Sequence, residues 1–423
     1  MNDTIYALSS GAPPAAIAVV RISGPGADAA LEALTGLLPE PRRATLAKIR
    51  SRAEQIDHAL ALRFPGPGSA TGEDVAELHL HGGRAVVAAA MAALARLEGL
   101  REAEPGEFTR RAFENGRIDL AEAEGLADLL AAETESQRRA ALSLAGGALS
   151  RQVEDWRRLV LALAAEVEAA LDFADDGDVA EQTPQSRTAR AAGEVADAME
   201  AVLARPPVER LREGVRVAIA GPPNSGKSSL FNRLVQREAA IISAVAGTTR
   251  DLIEAPVAIG GTPFLLIDTA GVRETSDEVE IIGVERAHEA MKSADLVLWL
   301  GPADQAPAIA VRVHSKCDLK PAGADADIAV SSLTGEGVDA LAAVLLERAK
   351  LLLPGRHDLA INARHRTLIA QCRDCLREAE EATDPLLAAE ALRQARAALD
   401  RITGRAGVEE MLDALFGRFC IGK

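Results

Sequence analysis

Apolar positions change their spacing three times along this chain, and each change marks a switch in structure. Near the start short runs alternate. Ala16-Ile17-Ala18-Val19-Val20-Arg21-Ile22 and Val75-Ala76-Glu77-Leu78-His79-Leu80 predict strands, punctuated by Gly/Pro turns at 11–14, 23–26 and 65–68. From about Ile118 the period lengthens. Val153, Trp156, Val160, Leu163, Val167 and Leu171 form one helical stripe that must pack on other helices, and Asp175-Asp176-Gly177-Asp178 predicts its end. Between Glu213 and Leu346 strands and helices alternate, with strands expected at 215–220, 264–267, 295–300, 308–313 and 328–330. Such alternation predicts a doubly wound parallel sheet. Helical texture then returns, with Leu386, Glu390, Arg393 and Ala397 on one helix. The expected architecture is multi-domain α/β. An α+β domain occupies 1–118, and a helical domain is split into 119–212 and 347–423 around an inserted nucleotide-type domain at 213–346.

At 423 residues the chain exceeds one ordinary core. Aromatics are only 3%, so the interior must be built from Ala, Leu and Val, which favours helices. A net charge of −16 argues against a protein that coats nucleic acid non-specifically. An RNA substrate therefore requires a local basic patch or a basic partner. Neither a leader pattern nor a membrane-length apolar run is present, which predicts a cytoplasmic protein with no membrane partner. Of the four cysteines, Cys372-Arg-Asp-Cys375 has redox or zinc spacing, but it lies in a helical stretch with no second pair. Two small helix residues are the expectation there.

The chemistry concentrates after the strand at 215–220. Gly221-Pro222-Pro223-Asn224-Ser225-Gly226-Lys227-Ser228 fits G-x-x-x-x-G-K-[ST], and Ser229-Leu230-Phe231-Asn232-Arg233-Leu234 continues as a helix. Backbone N–H groups and the helix N-terminus cradle phosphates; Lys227 reaches the β- and γ-phosphates and Ser228 takes Mg²⁺. Asp268-Thr269-Ala270-Gly271 closes the next strand, where the Asp faces Mg²⁺ through water and the Gly N–H meets the γ-phosphate. Gly247-Thr248-Thr249-Arg250-Asp251 lies between them, with Thr249 the switch threonine for Mg²⁺. Ser315-Lys316-Cys317-Asp318 stands where GTPases carry Asn-Lys-x-Asp. Asp318 accepts both N–H groups of guanine's Watson–Crick edge, so GTP is the expected nucleotide. Ser315 replaces an asparagine and satisfies only part of its role, so GTP is expected to be preferred with weaker affinity or discrimination. Ser331-Ser332-Leu333 is placed to offer an N–H to guanine O6. Val272 occupies the position where many GTPases use Gln to orient water; Glu274, Asp277, Glu278 and Glu280 remain open as replacements, as do Arg250 and Arg273 as fingers. Asn224 suggests a monovalent cation, K⁺, beside the phosphates.

These motifs and both chain ends resemble the MnmE (TrmE) family of tRNA modification GTPases along essentially the whole length. The resemblance is carried by Asp3-Thr4-Ile5, Arg21-Ile22-Ser23-Gly24, Thr71-Gly72-Glu73-Asp74-Val75, His81-Gly82-Gly83 and Pro105-Gly106-Glu107-Phe108-Thr109. It continues through Arg117 to Glu124, the Gly247 loop, Asp277-Glu278-Val279-Glu280 and the terminal Phe419-Cys420-Ile421-Gly422-Lys423. It implies K⁺-stimulated GTP hydrolysis by dimerising G domains, within a homodimer or a heterotetramer with a flavin-dependent MnmG-type partner. Together they would add an aminomethyl or carboxymethylaminomethyl group at C5 of the wobble uridine (position 34) of certain tRNAs. A reduced folate (formyl- or methylene-tetrahydrofolate) held by the N-terminal domain is the implied one-carbon source.

By motif matching, Asn224, Ser243, Val245 and Thr248 would line K⁺, and the stretch Ser243-Ala244-Val245-Ala246-Gly247-Thr248-Thr249 would wrap the GTP with Ser225, Gly226, Ser228 and Ser229. Glu280 matches the acid that orients water, and Lys227 the catalytic cation. Arg21, Glu77, Arg117 and Lys423 match the folate contacts, with Cys420 beside them as a candidate for one-carbon chemistry. A GTPase switch in ribosome assembly is the alternative, and folate binding separates the two.

Overall fold

Alternation in the first hundred residues builds a six-stranded sheet from β1 (Thr4–Leu8), β2 (Ile17–Ser23), β3 (Thr45–Ser51), β4 (Glu54–Phe64), β5 (Val75–His81) and β6 (Leu100–Glu102), ordered β3-β4-β5-β2-β1-β6. All neighbours are antiparallel except β1 and β6. Val20, Ile22, Leu78 and Leu80 face one way and are buried with residues of α1 (Ala27–Thr35) and α2 (Arg84–Leu94). By the two-residue period Arg21 and Glu77, register partners, face the other way.

In the computed structural model the described residues are 3–172, 184–237, 253–269, 288–321, 323, 325–355, 358–406, 409–417 and 419–423. The chain divides into two units, Met1–Ala127 with Asp400–Lys423, and Asp128–Leu399. The last 24 residues thus group with the N-terminal unit, although helical texture alone grouped them with the helices from 347. The tail is seated by close backbone contact. A Cβ on Gly422 would lie 2.1 Å from the Leu8 carbonyl oxygen, and one on Gly106 2.3 Å from that of Phe416. Pro105 and Ile421 form an antiparallel bridge.

The first unit is knotted by a buried cation. Arg111 on α3 (Glu107–Glu114) is 1% exposed and bonds Asp3 Oδ1 (2.9 Å), the Asp3 carbonyl (3.0 Å), Glu73 Oε2 (3.1 Å) and Glu107 Oε1 (3.0 Å). Arg101 adds a second cation to Glu107, with Nη1 2.8 Å from Oε2. Burial pushes the Glu107 carboxyl up, but hydrogen bonds from Arg101, the Glu104 N–H and Arg111 override it and leave it below the ordinary glutamate range.

In the second unit the helical stripe is buried as its spacing requires. Val153, Trp156, Val160, Leu163 and Val167 of α6 (Ala148–Asp172) lie in the interior, Leu171 is half-buried, and Asp175 to Asp178 fall outside the described residues. The helices flanking the insertion, α7 (Pro184–Leu203) and Ala363–Glu381, pack on each other. Arg373 reaches Glu200 at 2.6 Å, and Arg366 donates to the Arg205 carbonyl at 3.0 Å. Leu386, Glu390, Arg393 and Ala397 share the helix Pro385–Ile402 on its solvent side, opposite buried Leu392, Ala395 and Leu399. Cys372 and Cys375 are free thiols on the helix Ala363–Glu381, and burial pushes the Cys372 thiol far up. No group of three or more His, Cys, Asp or Glu among the described residues is arranged to hold a metal ion, and no helix there is long and apolar enough to cross a membrane.

Between those flanks lies a second sheet, ordered β12-β11-β10-β7-β9-β8. β7 (Val215–Ala220), β9 (Thr262–Asp268), β10 (Leu296–Trp299), β11 (Ala310–Ser315) and β12 (Ile328–Val330) are parallel. The edge strand β8 (Ile253–Ile259) is antiparallel to β9 and was not anticipated. Its Pro256 reads as a strand breaker, yet it is tolerated at a sheet edge. Gly260 and Gly261, with φ of 54° and 76°, close the tight hairpin that makes the pairing. The helix after β12 runs Val338–Leu352, across residue 346.

Arg111→Met should cost the first unit about 3–5 kcal/mol, since three carboxylates lose their buried cation; calorimetric unfolding of the full chain checks this. Paired carboxylates of this unit also set an acid limit. Asp3, Glu77 and Glu107 are lowered in the folded state. Their contribution is therefore complete above the unfolded carboxylate values and disappears as pH falls below about 4. Melting temperature should drop there, and Glu107→Gln should flatten that drop.

Candidate functional site

The phosphate loop begins where β7 ends and finishes where α9 (Lys227–Arg237) begins. Its path needs unusual backbone. Gly221 has φ 148°, Asn224 φ 60° and Gly226 φ 97°, and a Cβ at Gly221 would press within 3.0 Å of the Leu300 backbone. An asparagine tolerates the left-handed region better than most residues. Lys227 is 8% exposed; its Nζ donates to the carbonyls of Gly221 (3.0 Å) and Pro222 (2.9 Å). Burial pushes its pKa down, opposed by the charge of Asp268. Asp268 is the last residue of β9, in register with Ile219 and 1% exposed, so it stands one strand from the loop. Thr269 Oγ1 donates to the Ile219 carbonyl at 2.8 Å. Ser228 and Ser229 are exposed on the first turn of α9.

The specificity segment crosses the loop from the other side. Ser315 ends β11 and its Oγ donates to the Ser225 carbonyl at 2.6 Å. Lys316, left-handed at φ 59°, sends Nζ to the Asn224 carbonyl at 2.9 Å. Asp318 is exposed beyond it. Ser331 is buried and spends its N–H on the Glu336 carbonyl (2.9 Å), while the Ser332 and Leu333 N–H groups donate to no backbone carbonyl among the described residues. Ser243, Ala244, Val245, Ala246, Gly247, Thr248, Thr249, Ala270, Gly271 and Glu280 lie outside the described residues. So do Arg250, Val272, Arg273, Glu274, Asp277 and Glu278. Of the Mg²⁺ set, Ser228 and Asp268 are the described oxygen donors, at the loop's two sides, and this hard-donor chemistry suits the ion. Of the K⁺ set only Asn224 is described, exposed on the crown of the loop.

The first unit brings together a second set. Arg21 Nε and Nη2 meet Glu77 Oε1 at 3.0 and 2.9 Å, and His79 Nε2 meets Oε2 at 3.0 Å. The Arg21 guanidinium also sits 5.8 Å from the centre of the Phe108 ring. Burial pushes the Glu77 carboxyl up, yet His79 and Arg21 together hold it below the ordinary glutamate range. Lys423 ends the tail that passes over Leu8, and Leu8 pairs with Val20, next to Arg21. Arg117 is exposed, with its stem against Gly72, where a Cβ would meet its Cγ at 3.2 Å. Cys420 is an exposed free thiol on the same tail. Sequence reasoning missed His79 and Phe108 as members of this set. The two-residue period shared by Glu77 and His79 was the available signal for the first.

The MnmE helical domain model matches residues 120–420, and the model for the N-terminus of the GTP-binding protein TrmE matches 4–117. The chain belongs to the MnmE (TrmE) family. Proteins named tRNA modification GTPase MnmE from Rhizorhabdus wittichii and Erythrobacter litoralis are 59% and 56% identical to it; the alignments cover 100% of this chain and 97% and 100% of theirs. The corresponding protein of Novosphingobium aromaticivorans is 53% identical, with both chains covered fully (100% each). Among solved structures, the G domain of the T. maritima FeoB protein aligns at 25% identity over 32% of this chain and 98% of its own, with a TM-score of 0.24. Its family and these full-length relatives make the chain a GTP hydrolase of the tRNA modification class.

Asp318→Asn replaces an acceptor carboxylate with an amide that must turn one N–H toward guanine. GTP affinity should fall about 30- to 100-fold, with Lys227→Ala abolishing turnover; nucleotide titration and phosphate release read the two.

Proposed function

We propose that this chain is a K⁺-activated GTP hydrolase that works with a flavin-dependent MnmG-type partner on the wobble uridine of certain tRNAs in the cytoplasm. The modification is a (carboxymethyl)aminomethyl group at C5, built with a one-carbon unit from a reduced folate bound by the first unit. The carrying observation is the Arg21–Glu77 pair in the unit that also seats the Cys420–Lys423 tail against Leu8, in a chain that keeps the phosphate loop and Asp318. A ribosome-assembly switch has no use for the former.

In this reading residues 1–118, with the tail 400–423, bind folate and dimerise, 213–346 turn over GTP, and 119–212 with 347–399 carry the nucleotide state between them. Bound K⁺ supplies positive charge beside the phosphates, with Asn224, Ser243, Val245 and Thr248 as its ligands; Mg²⁺ is held by Ser228 and Thr249. The α9 N-terminus and the loop N–H groups bind phosphate oxygens, and Lys227 exchanges its two carbonyl partners for them. Glu280 orients the attacking water. In the first unit Glu77 offers its carboxylate to the pterin's guanidine-like edge, while Arg21, Arg117 and Lys423 meet the anionic tail or a formyl oxygen. The acidic balance of the chain supports a division of labour in which the partner makes most tRNA phosphate contacts.

GTP turnover should be at least about tenfold faster in K⁺ than in Na⁺ at matched ionic strength, and excess ATP should not suppress it. Equal slow rates in both salts would remove the cation mechanism. In equilibrium titrations with 5-formyl-tetrahydrofolate, Glu77→Gln should weaken binding about 10- to 100-fold without changing GTP affinity. A wild-type chain that binds no reduced folate would favour the assembly-factor reading.

A further inference from the structure

Residue 315 decides what the nucleotide pocket reads. The Ser315 hydroxyl has one proton to give, and it is committed to the Ser225 carbonyl at 2.6 Å. That bond ties the specificity segment to the phosphate loop. Lys316 makes a second tie, to the Asn224 carbonyl at 2.9 Å. The nearby ring donor is occupied too, since His314 Nε2 lies 2.9 Å from the Lys320 carbonyl. An asparagine at 315 would hold two N–H donors, one for the same carbonyl and one left over for the base. The serine keeps the tie and has nothing left over.

Guanine presents two edges. Asp318 takes the N1–H and N2–H groups; on the opposite side of the ring system N7 and O6 are acceptors. Ser332 and Leu333 donate to no backbone carbonyl among the described residues, which makes their N–H groups the candidates for O6. No donor from residue 315 is left for N7. We propose that the guanine pocket of this chain does not read N7: it selects its nucleotide through Asp318 and the O6 contact alone, and takes guanosine nucleotides lacking the N7 acceptor as readily as GTP. Ser315 is thus a specificity-determining residue that relaxes one edge of the base while preserving loop geometry.

Space supports the test. A cavity of about 370 Å³ lined by Ser225, Gly301, His314, Ser315 and Lys316 opens beside this side chain, so the longer Asn is accommodated without overpacking. GDP and 7-deaza-GDP should be titrated calorimetrically into the full chain, wild type and Ser315→Asn, with ADP as control. Wild type should bind both guanine nucleotides within about twofold of each other. Ser315→Asn should favour GDP over 7-deaza-GDP about five- to tenfold, the worth of one hydrogen bond, while ADP stays rejected by both. Ser315→Ala, which loses the tie, should weaken GDP and 7-deaza-GDP by the same factor. A wild-type preference for GDP of fivefold or more would overturn the proposal, because some donor would then reach N7. A Ser315→Asn chain with no preference would overturn it equally, by showing that residue 315 does not face that edge.

Discussion

One register holds the nucleotide site in place: β7 runs parallel between β9 and β10, with Ile219 opposite Asp268 and Ala220 opposite Trp299. The strand is buried on both faces, as the middle of a parallel sheet must be. Val217 and Ile219 enter one apolar core, and the smaller Ala218 and Ala220 enter another. A slip of one residue would exchange the two sets and force β-branched side chains into space built for alanine. It would also move Gly221 away from the Leu300 backbone, where only a glycine fits. Lys227, Asp268 and Ser315 occupy their positions because the strand ends that carry them are aligned by this pairing.

The first unit depends in the same way on a single side chain. Arg111 gathers the start of β1 through Asp3, the loop before β5 through Glu73 and its own helix through Glu107. Ser23 adds to this cluster, with its Oγ 2.7 Å from Thr71 Oγ1 and 2.8 Å from Glu73. Several residues that carry the family resemblance, Asp3, Glu73 and Glu107 among them, are therefore part of the scaffold. They hold β2, β5 and α3 so that Arg21, Glu77 and Phe108 meet on one face. A buried cation with three carboxylates is costly to break and offers little advantage over an apolar core. What it supplies here is a fixed arrangement of three chain segments.

Legibility differed between the two sites for a physical reason. Phosphate recognition is performed by the backbone of consecutive residues, so Gly221 to Ser228 announce themselves as a string, and the strand and helix on either side follow from periodicity. Glu77 meets Arg21 across 56 residues of sequence, and His79 and Phe108 join by strand pairing and helix packing. Nothing local marks such a group; only the family resemblance pointed to Arg21 and Glu77. The antiparallel β8 escaped notice because Pro256 argues against a strand unless the strand is known to lie at an edge. The place of the last 24 residues is likewise non-local, settled by the close approaches of Gly106 to Phe416 and Gly422 to Leu8.

By itself the sequence determined the succession of strand, helix and mixed regions, the nucleotide class, and the family through its motifs. Those features depend on residues close in the chain, whose spacing is the physical signal. Tertiary structure alone decided which polar groups are already spent. It placed the only proton of the Ser315 hydroxyl on the Ser225 carbonyl, and it put both oxygens of Glu77 between Arg21 and His79. A hydrogen-bond donor can be counted from sequence, but its partner is chosen by distances that only the folded chain defines.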